Sequence, residues 1–279
     1  MRPLFSALRA KKPILTSMIT ELTAAGAIDR IRNSIYDGAD AVALHLEILG
    51  EEYQSLDSLK NIFGYACDLP IMTINYRTEA RSTITDEIRA KQQLLAIDAG
   101  AAMCDIFGDI FGEAPLQLAI DPVVVAKQKE LIRQIHDKGG EVLMSSHTWI
   151  PMSAEHVLEH ALALANRGAD MVKIAMTVHS DEDLLEAIRA TSLVSKQLPV
   201  PLLHVCMGQH GKAHRVFAPV FGSCMILCVQ EYAPNSHKDQ PLLRAVHTIY
   251  DNLDWHMNRN QLVGTRAAAA SLQDDCGKV

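Results

Sequence analysis

In the stretch "MVKIAMT", residues 171–177, Lys173 sits among methionine, valine, isoleucine and alanine. An ammonium in apolar surroundings loses hydration, so such a lysine pairs with a partner, reaches outward to water, or becomes partly neutral. The neutral amine is a nucleophile that condenses with a ketone or aldehyde to form an imine. Once protonated, the imine acidifies a neighbouring C–H, which an imidazole can deprotonate before returning the proton to a departing hydroxyl. His147, at the end of the preceding apolar run "EVLMSSHT", is the candidate imidazole, while Arg77 and Glu79 in "NYRTEAR" and Arg215 in "GQHGKAHR" are charged candidates. Each has an ordinary reading too: a lysine whose amine snorkels to water, a hydrogen-bonded packing histidine, a solvated ion pair at Glu79, and a surface arginine.

What could bring these groups together is a repeated unit. Eight short apolar runs alternate with amphipathic stretches: "PILTSMI", "AVALHLEI", "PIMTINY", "MCDIFGD", "EVLMSSHT", "MVKIAMT", "PLLHVCMG" and "SCMILCVQ". Between them "TAAGAIDRIRNSIYDG", "SAEHVLEHALALANRG" and "SDEDLLEAIRATSLVSKQ" carry a 3.6-residue apolar period, the last two opening on a capping serine. Helices are expected to end at Gly38 and Gly168, within "DGAD" and "RGAD". The pattern predicts an α/β chain folded as one (β/α)8 TIM barrel, a fold of about 250 residues with its active site at the carboxyl ends of the strands. An open doubly wound sheet would favour a G-x-G-x-x-G after the first strand, and "ILTSMITELTAAGA" has none. A single domain over 1–279 is expected, with 1–12 and 259–279 peripheral.

Composition narrows the function. A chain of 279 residues with 48% hydrophobic content and net charge −7 reads as an ordinary globule rather than a general nucleic-acid or anionic-membrane binder, which needs clustered basic residues. With no signal peptide and no membrane-length apolar run read from the sequence, the cytoplasm is the default expectation. The six cysteines, Cys67, Cys104, Cys206, Cys224, Cys228 and Cys276, form no C-x-x-C pair and read as free core thiols.

Together, "EVLMSSHT", "ADMVKIAMTVHSDEDLLE" and "HVCMGQHGKAHRVFAPVFGS" resemble the type I 3-dehydroquinate dehydratases, from about residue 13 to 250. The resemblance implies an imine lysine at Lys173, a general acid/base at His147, an acidic residue orienting that histidine at Glu79, and a substrate-carboxylate clamp at Arg215. It also implies a small keto acid substrate, no cofactor, no metal, and a homodimer. Departures are concentrated where the family contacts ring hydroxyls: Ala43, His45 and Glu47 stand in its strand-two motif. Asn75 replaces a strand-three arginine whose place Arg77 could take. In the loop after strand eight, "YAPNSHKDQ" offers Tyr232, with Ser236 or Gln240 in the glutamine place. These are the expected substrate-binding positions, giving dehydration of 3-dehydroquinate or of a related cyclic or sugar-derived keto acid. Two other classes stay open. A metal-dependent barrel hydrolase is raised by the H-x-x-x-H of His210 and His214, although two histidines at that spacing are common. A non-catalytic metabolite-binding barrel is raised by the altered pocket.

Overall fold

The computed structural model describes residues 3–8, 12–79, 83–234 and 236–255. Eight strands alternate with eight helices: β1 (Ile14–Ile19), α1 (Ala24–Tyr36), β2 (Ala41–His45), α2 (Leu56–Gly64), β3 (Ile71–Ile74), α3 (Asp86–Asp98), β4 (Met103–Phe107) and α4 (Pro122–Asp137) lead on to β5 (Glu141–His147), α5 (Ala154–Ala165), β6 (Met171–Val178), α6 (Asp181–Gln197), β7 (Leu202–Gly208), α7 (Gly211–Phe217), β8 (Met225–Cys228) and α8 (Leu243–Tyr250). All strands are parallel, in the order β7-β6-β5-β4-β3-β2-β1-β8. The expected (β/α)8 barrel is therefore formed, nearly closed. Between β7 and β8 the seam is a backbone hydrogen bond, Cys224 N–H to Leu202 O at 3 Å or less (2.7 Å), rather than a ladder.

Local chemistry sets the helix limits. Thr23, Ser55, Thr85, Asp121, Ser153 and Ser180 each accept a backbone N–H of the first turn through the side chain, leaving fewer orphan donors. Gly38 and Gly168 follow α1 and α5 with φ of +88° and +102°, conformations that L side chains rarely adopt. The aspartates two residues further on tie each turn to the neighbouring strand. Asp40 accepts from Leu15 N–H at 2.9 Å and Asp170 from Val142 N–H at 2.8 Å, so the repeated "GAD" is a strand-start clasp.

Alternation along the strands divides the core in two. One set of side chains, such as Val42, Ile106, Val172 and Ile174, packs against the helices. The other, methionine-rich set, including Met18, Met72, Met103, Met171 and Met225, fills the barrel interior. The opening segment belongs to that interior. Phe5 is 2% exposed and packs with the inner cluster, and its N–H and that of Ser6 bond to the Glu141 carboxylate at the start of β5. A segment read as peripheral thus carries a plug at the amino ends of the strands, because those ends would otherwise leave Met103 and Met171 facing water. Residues 259–279 lie outside the described residues.

Of the cysteines described, all five are free; Cys104, Cys206, Cys224 and Cys228 are buried, but Cys67 is exposed in the turn after α2 rather than in the core. No described helix is long and apolar enough to cross a membrane. Phe5→Ala should lower the unfolding free energy by about 3–5 kcal/mol, the usual cost of truncating a buried phenylalanine, read as a lower midpoint in urea.

Candidate active site

A cavity of about 470 Å³ opens at the carboxyl ends of the strands, the end at which such barrels carry their chemistry. β6 sends Lys173, Ala175 and Thr177 into it, while Val172, Ile174 and Met176 face the helices. Lys173 is 4% exposed. Its Nζ donates to Tyr76 Oη at 2.5 Å and lies 3.4 Å from Asp105 Oδ2. The carboxylate is already engaged, since Tyr76 Oη–H donates to Oδ2 and Ser145 Oγ–H to Oδ1. Burial pushes the lysine pKa down, partly opposed by Asp105 and reinforced by Arg215. The same burial, with Asp105 beside it, holds the Tyr76 phenol well above its usual range, so tyrosine stays protonated and shares the aspartate.

His147 ends β5, next to the lysine strand; Ser145 pairs with Lys173 and His147 with Ala175. Its ring stands edge-on to Tyr76, centroids 4.9 Å apart, and stacks on Trp149 at 5.8 Å. Gln117 fixes its tautomer. Oε1 of Gln117 accepts the His147 backbone N–H at 2.8 Å and therefore also accepts Nδ1–H at 2.9 Å, leaving Nε2 with its lone pair for the cavity. Burial, then the charges of Lys173 and Arg215, lowers the imidazole pKa well below 6.5, so the ring is neutral at neutral pH. The backbone is strained to make this contact: Leu116 and Gln117 have φ of +55° and +49°, and Trp149 +58°. Such conformations cost roughly 1–3 kcal/mol each in a non-glycine residue.

Opposite these groups, α7 carries Arg215, 6% exposed, whose Nε donates to Cys206 O at 2.9 Å. Its Nη1 is buried without a partner, at the cavity wall. Burial draws the guanidinium pKa down from its ordinary value, with Asp239 opposing, but a guanidinium keeps its charge in proteins. A buried cation with an unused donor is an anion site in waiting. On the β2 side, His45 Nδ1 bonds Glu47 Oε1 at 2.6 Å, and both His45 Nε2 and Glu47 Oε2 are buried and unpartnered. Arg77 lines the same cavity but is held by Asp86 at 2.5 Å and Asp109 at 2.9 Å, over the Phe107 ring. Gln240 and His237 reach it from the segment after β8.

Several expected positions lie elsewhere. Glu79 is exposed and does not line the cavity; Gln117, from the turn after β4, makes the contact to His147 assigned to it. Asn75 is buried but points to α3, donating to Gln92 Oε1 at 2.8 Å, because residues 73 and 75 share the outer face of the strand. Tyr232 is 47% exposed, with its hydroxyl donating to Gln240 O and accepting from Lys212. Ser236 Oγ accepts from Ala233 N–H at 2.9 Å and shapes the loop without lining the cavity. Of the histidines spaced as metal ligands, His210 pairs with Asp181 at 3.0 Å, while His214 is buried beside His204, so the two do not converge. Among the described residues, the group that could hold a metal is instead His204, Cys206 and His214. The side chains missed were Tyr76, Asp105, Gln117 and His237. Asp105 carried a legible signal, being a charge inside an apolar strand as Lys173 is, and alternate strands supply one interior layer in such barrels.

The profile of type I 3-dehydroquinase matches residues 17–255, which contain every cavity side chain named above. The chain belongs to the type I 3-dehydroquinase family. Among curated relatives, the 3-dehydroquinate dehydratase of Lactiplantibacillus plantarum is 33% identical over 99 residues, 35% of this chain and 39% of that protein. The corresponding protein of Geobacillus thermodenitrificans is 27% identical over 188 residues, 66% of this chain and 69% of its own length. In three dimensions, the type I 3-dehydroquinate dehydratase of Clostridium difficile, solved with covalently modified comenic acid, superposes with a TM-score of 0.75 at 16% identity. That superposition covers 90% of this chain and 98% of the other, a likeness of fold. The type I 3-dehydroquinase barrel therefore frames the cavity, and the side chains inside it are this chain's own.

If Gln117 sets the state of His147, a carboxylate in its place should favour imidazolium. Gln117→Glu should raise the His147 pKa by roughly one pH unit or more, followed by NMR titration of the ring, whereas Gln117→Leu should leave it low.

Proposed function

We propose that the chain is a Schiff-base-forming dehydratase that eliminates water from 3-dehydroquinate, a carbon–oxygen lyase of its family. The observation that carries this reading is the convergence of a desolvated lysine, a neutral imidazole with Nε2 free, and a buried guanidinium with an unused donor on one cavity. Arg215 holds the substrate carboxylate by charge-assisted hydrogen bonds. The Lys173 amine adds to the ketone carbon, and loss of water leaves an imine. His147 Nε2 takes a proton from the adjacent carbon, the electron pair flows into the protonated imine, and the hydroxyl on the next carbon leaves with the proton that the imidazolium returns. Hydrolysis releases product and restores the amine.

Asp105 and Tyr76 position and charge-balance the lysine, and Gln117 takes the orienting role read onto Glu79. His45 Nε2 and Glu47 Oε2 are both acceptors once Nδ1–H is donated to Glu47, which suits the hydroxyl donors of a polyhydroxylated ring. Gln240 and His237 close the same side. Arg77, committed to two carboxylates, walls the cavity rather than binding the substrate directly. A homodimer is the assembly that the family resemblance suggests.

Borohydride reduction in the presence of 3-dehydroquinate should leave a stable adduct on the Lys173 peptide, found by mass spectrometry; turnover with an unmodified Lys173 would sink the imine step. Lys173→Ala should abolish turnover, and His147→Ala should lower kcat by about 10²–10⁴. Because His147 is held below the ordinary imidazole range, the acid limb of kcat/KM should fall below about pH 6.5, the unperturbed value. Losing activity already at that pH would count against it.

A further inference from the structure

Along β7, Leu203 and Val205 enter the barrel, and the alternate residues His204 and Cys206 face the helices. There they meet Thr191 of α6 and His214 of α7, all buried. Thr191 Oγ1 donates its one hydrogen to Ala187 O at 2.8 Å. It can therefore only accept from the two rings, from His204 Nδ1–H at 2.8 Å and His214 Nε2–H at 3.3 Å. This fixes both tautomers. Each ring keeps a bare lone pair, on His204 Nε2 and His214 Nδ1, and each of these atoms is buried without a partner. Burial lowers the pKa of both imidazoles, which leaves them neutral, and pushes the Cys206 thiol up, so an ion must displace a firmly held thiol proton. The rings stand edge to face, 4.9 Å apart, and one ligating atom from each of His204, Cys206 and His214 lies within 4.8 Å of the others.

We propose that His204, Cys206 and His214 bind one thiophilic closed-shell cation, Zn2+ or Cu+, on the outer face of β7. Two neutral imidazoles and a thiolate are the donor set both ions favour. Binding exchanges the Cys206 S–H proton for the metal and releases it to solvent, with no change of oxidation state. Bond lengths of about 2.0–2.3 Å require the three side chains to draw together from their present spacing of up to 4.8 Å. The site is separate from the substrate cavity and lies behind it. Arg215 adjoins His214 and its Nε bonds the Cys206 carbonyl, so an ion here would brace the guanidinium from outside the barrel.

The test is made on the full chain, stripped of metal under reducing conditions and titrated separately with Zn2+ and, without oxygen, with Cu+, each against a chromophoric competitor. One equivalent should bind in at least one arm, and the arm that wins identifies the ion. Cys206→Ser and His214→Gln should weaken that binding by roughly 10- to 100-fold or more, while Cys67→Ser, at an exposed thiol remote from the cluster, leaves it unchanged. X-ray absorption on the loaded unmutated protein needs no variant and should show one sulfur and two imidazole nitrogens. Substoichiometric binding of both ions, a shell without sulfur, or affinity unaltered in folded Cys206→Ser and His214→Gln would each overturn the proposal.

Discussion

The barrel interior is packed with apolar side chains, and a lysine placed in it must be either neutralised or matched. At Lys173 both happen in part: burial disfavours the ammonium, and Asp105 opposes that shift from 3.4 Å while its oxygens are occupied by Tyr76 and Ser145. An aspartate free of those bonds would pair fully with the lysine and hold its proton; an apolar residue there would leave any ammonium uncompensated. The amine is poised between these limits by hydrogen bonds that dilute the carboxylate. His147 is subject to the same constraint from the other side, since the positive groups of the cavity add to burial in keeping it neutral.

Rigidity follows from where the supporting atoms sit. Asp105, Ser145 and Lys173 are on adjoining strands β4, β5 and β6, whose ladders fix their spacing. Gln117 is on a turn, but the turn is held in a left-handed conformation at two successive residues, and Ser146 Oγ–H bonds to Leu116 O. His160 Nε2 lies 2.8 Å from the same serine, so the outer face of β5 steadies the turn whose side chain orients the inner face. The strained backbone and the cavity imidazole are thus supported by one strand read on its two sides.

The alternation of strand residues explains which expectations about the pocket needed changing. Asn75 and Tyr76 are neighbours, yet one meets α3 and the other meets Lys173. A motif aligned by residue type gives the segment; the face is set by period and register, and one residue of displacement exchanges core and cavity. Glu79 and Gln117 differ in another way. They come from turns after different strands, and which turn folds back over His147 depends on its length and backbone angles, which carry little signature in residue type.

Much of the fold was legible in local pattern: eight apolar runs, helical periods between them, capping hydroxyls and the "GAD" turns require only neighbours in sequence to be understood. That Lys173 and His147 would face one cavity was legible too, because a polar group inside an apolar strand is anomalous wherever the strand goes. What only tertiary structure decided was partnership: Asp105 with Tyr76 and Lys173, Gln117 with His147, Phe5 as the barrel's plug, and His214 with His204 and Cys206 rather than His210. Those pairings join residues from separate strands and turns, and their energies exist only once closure of the sheet removes water from between them.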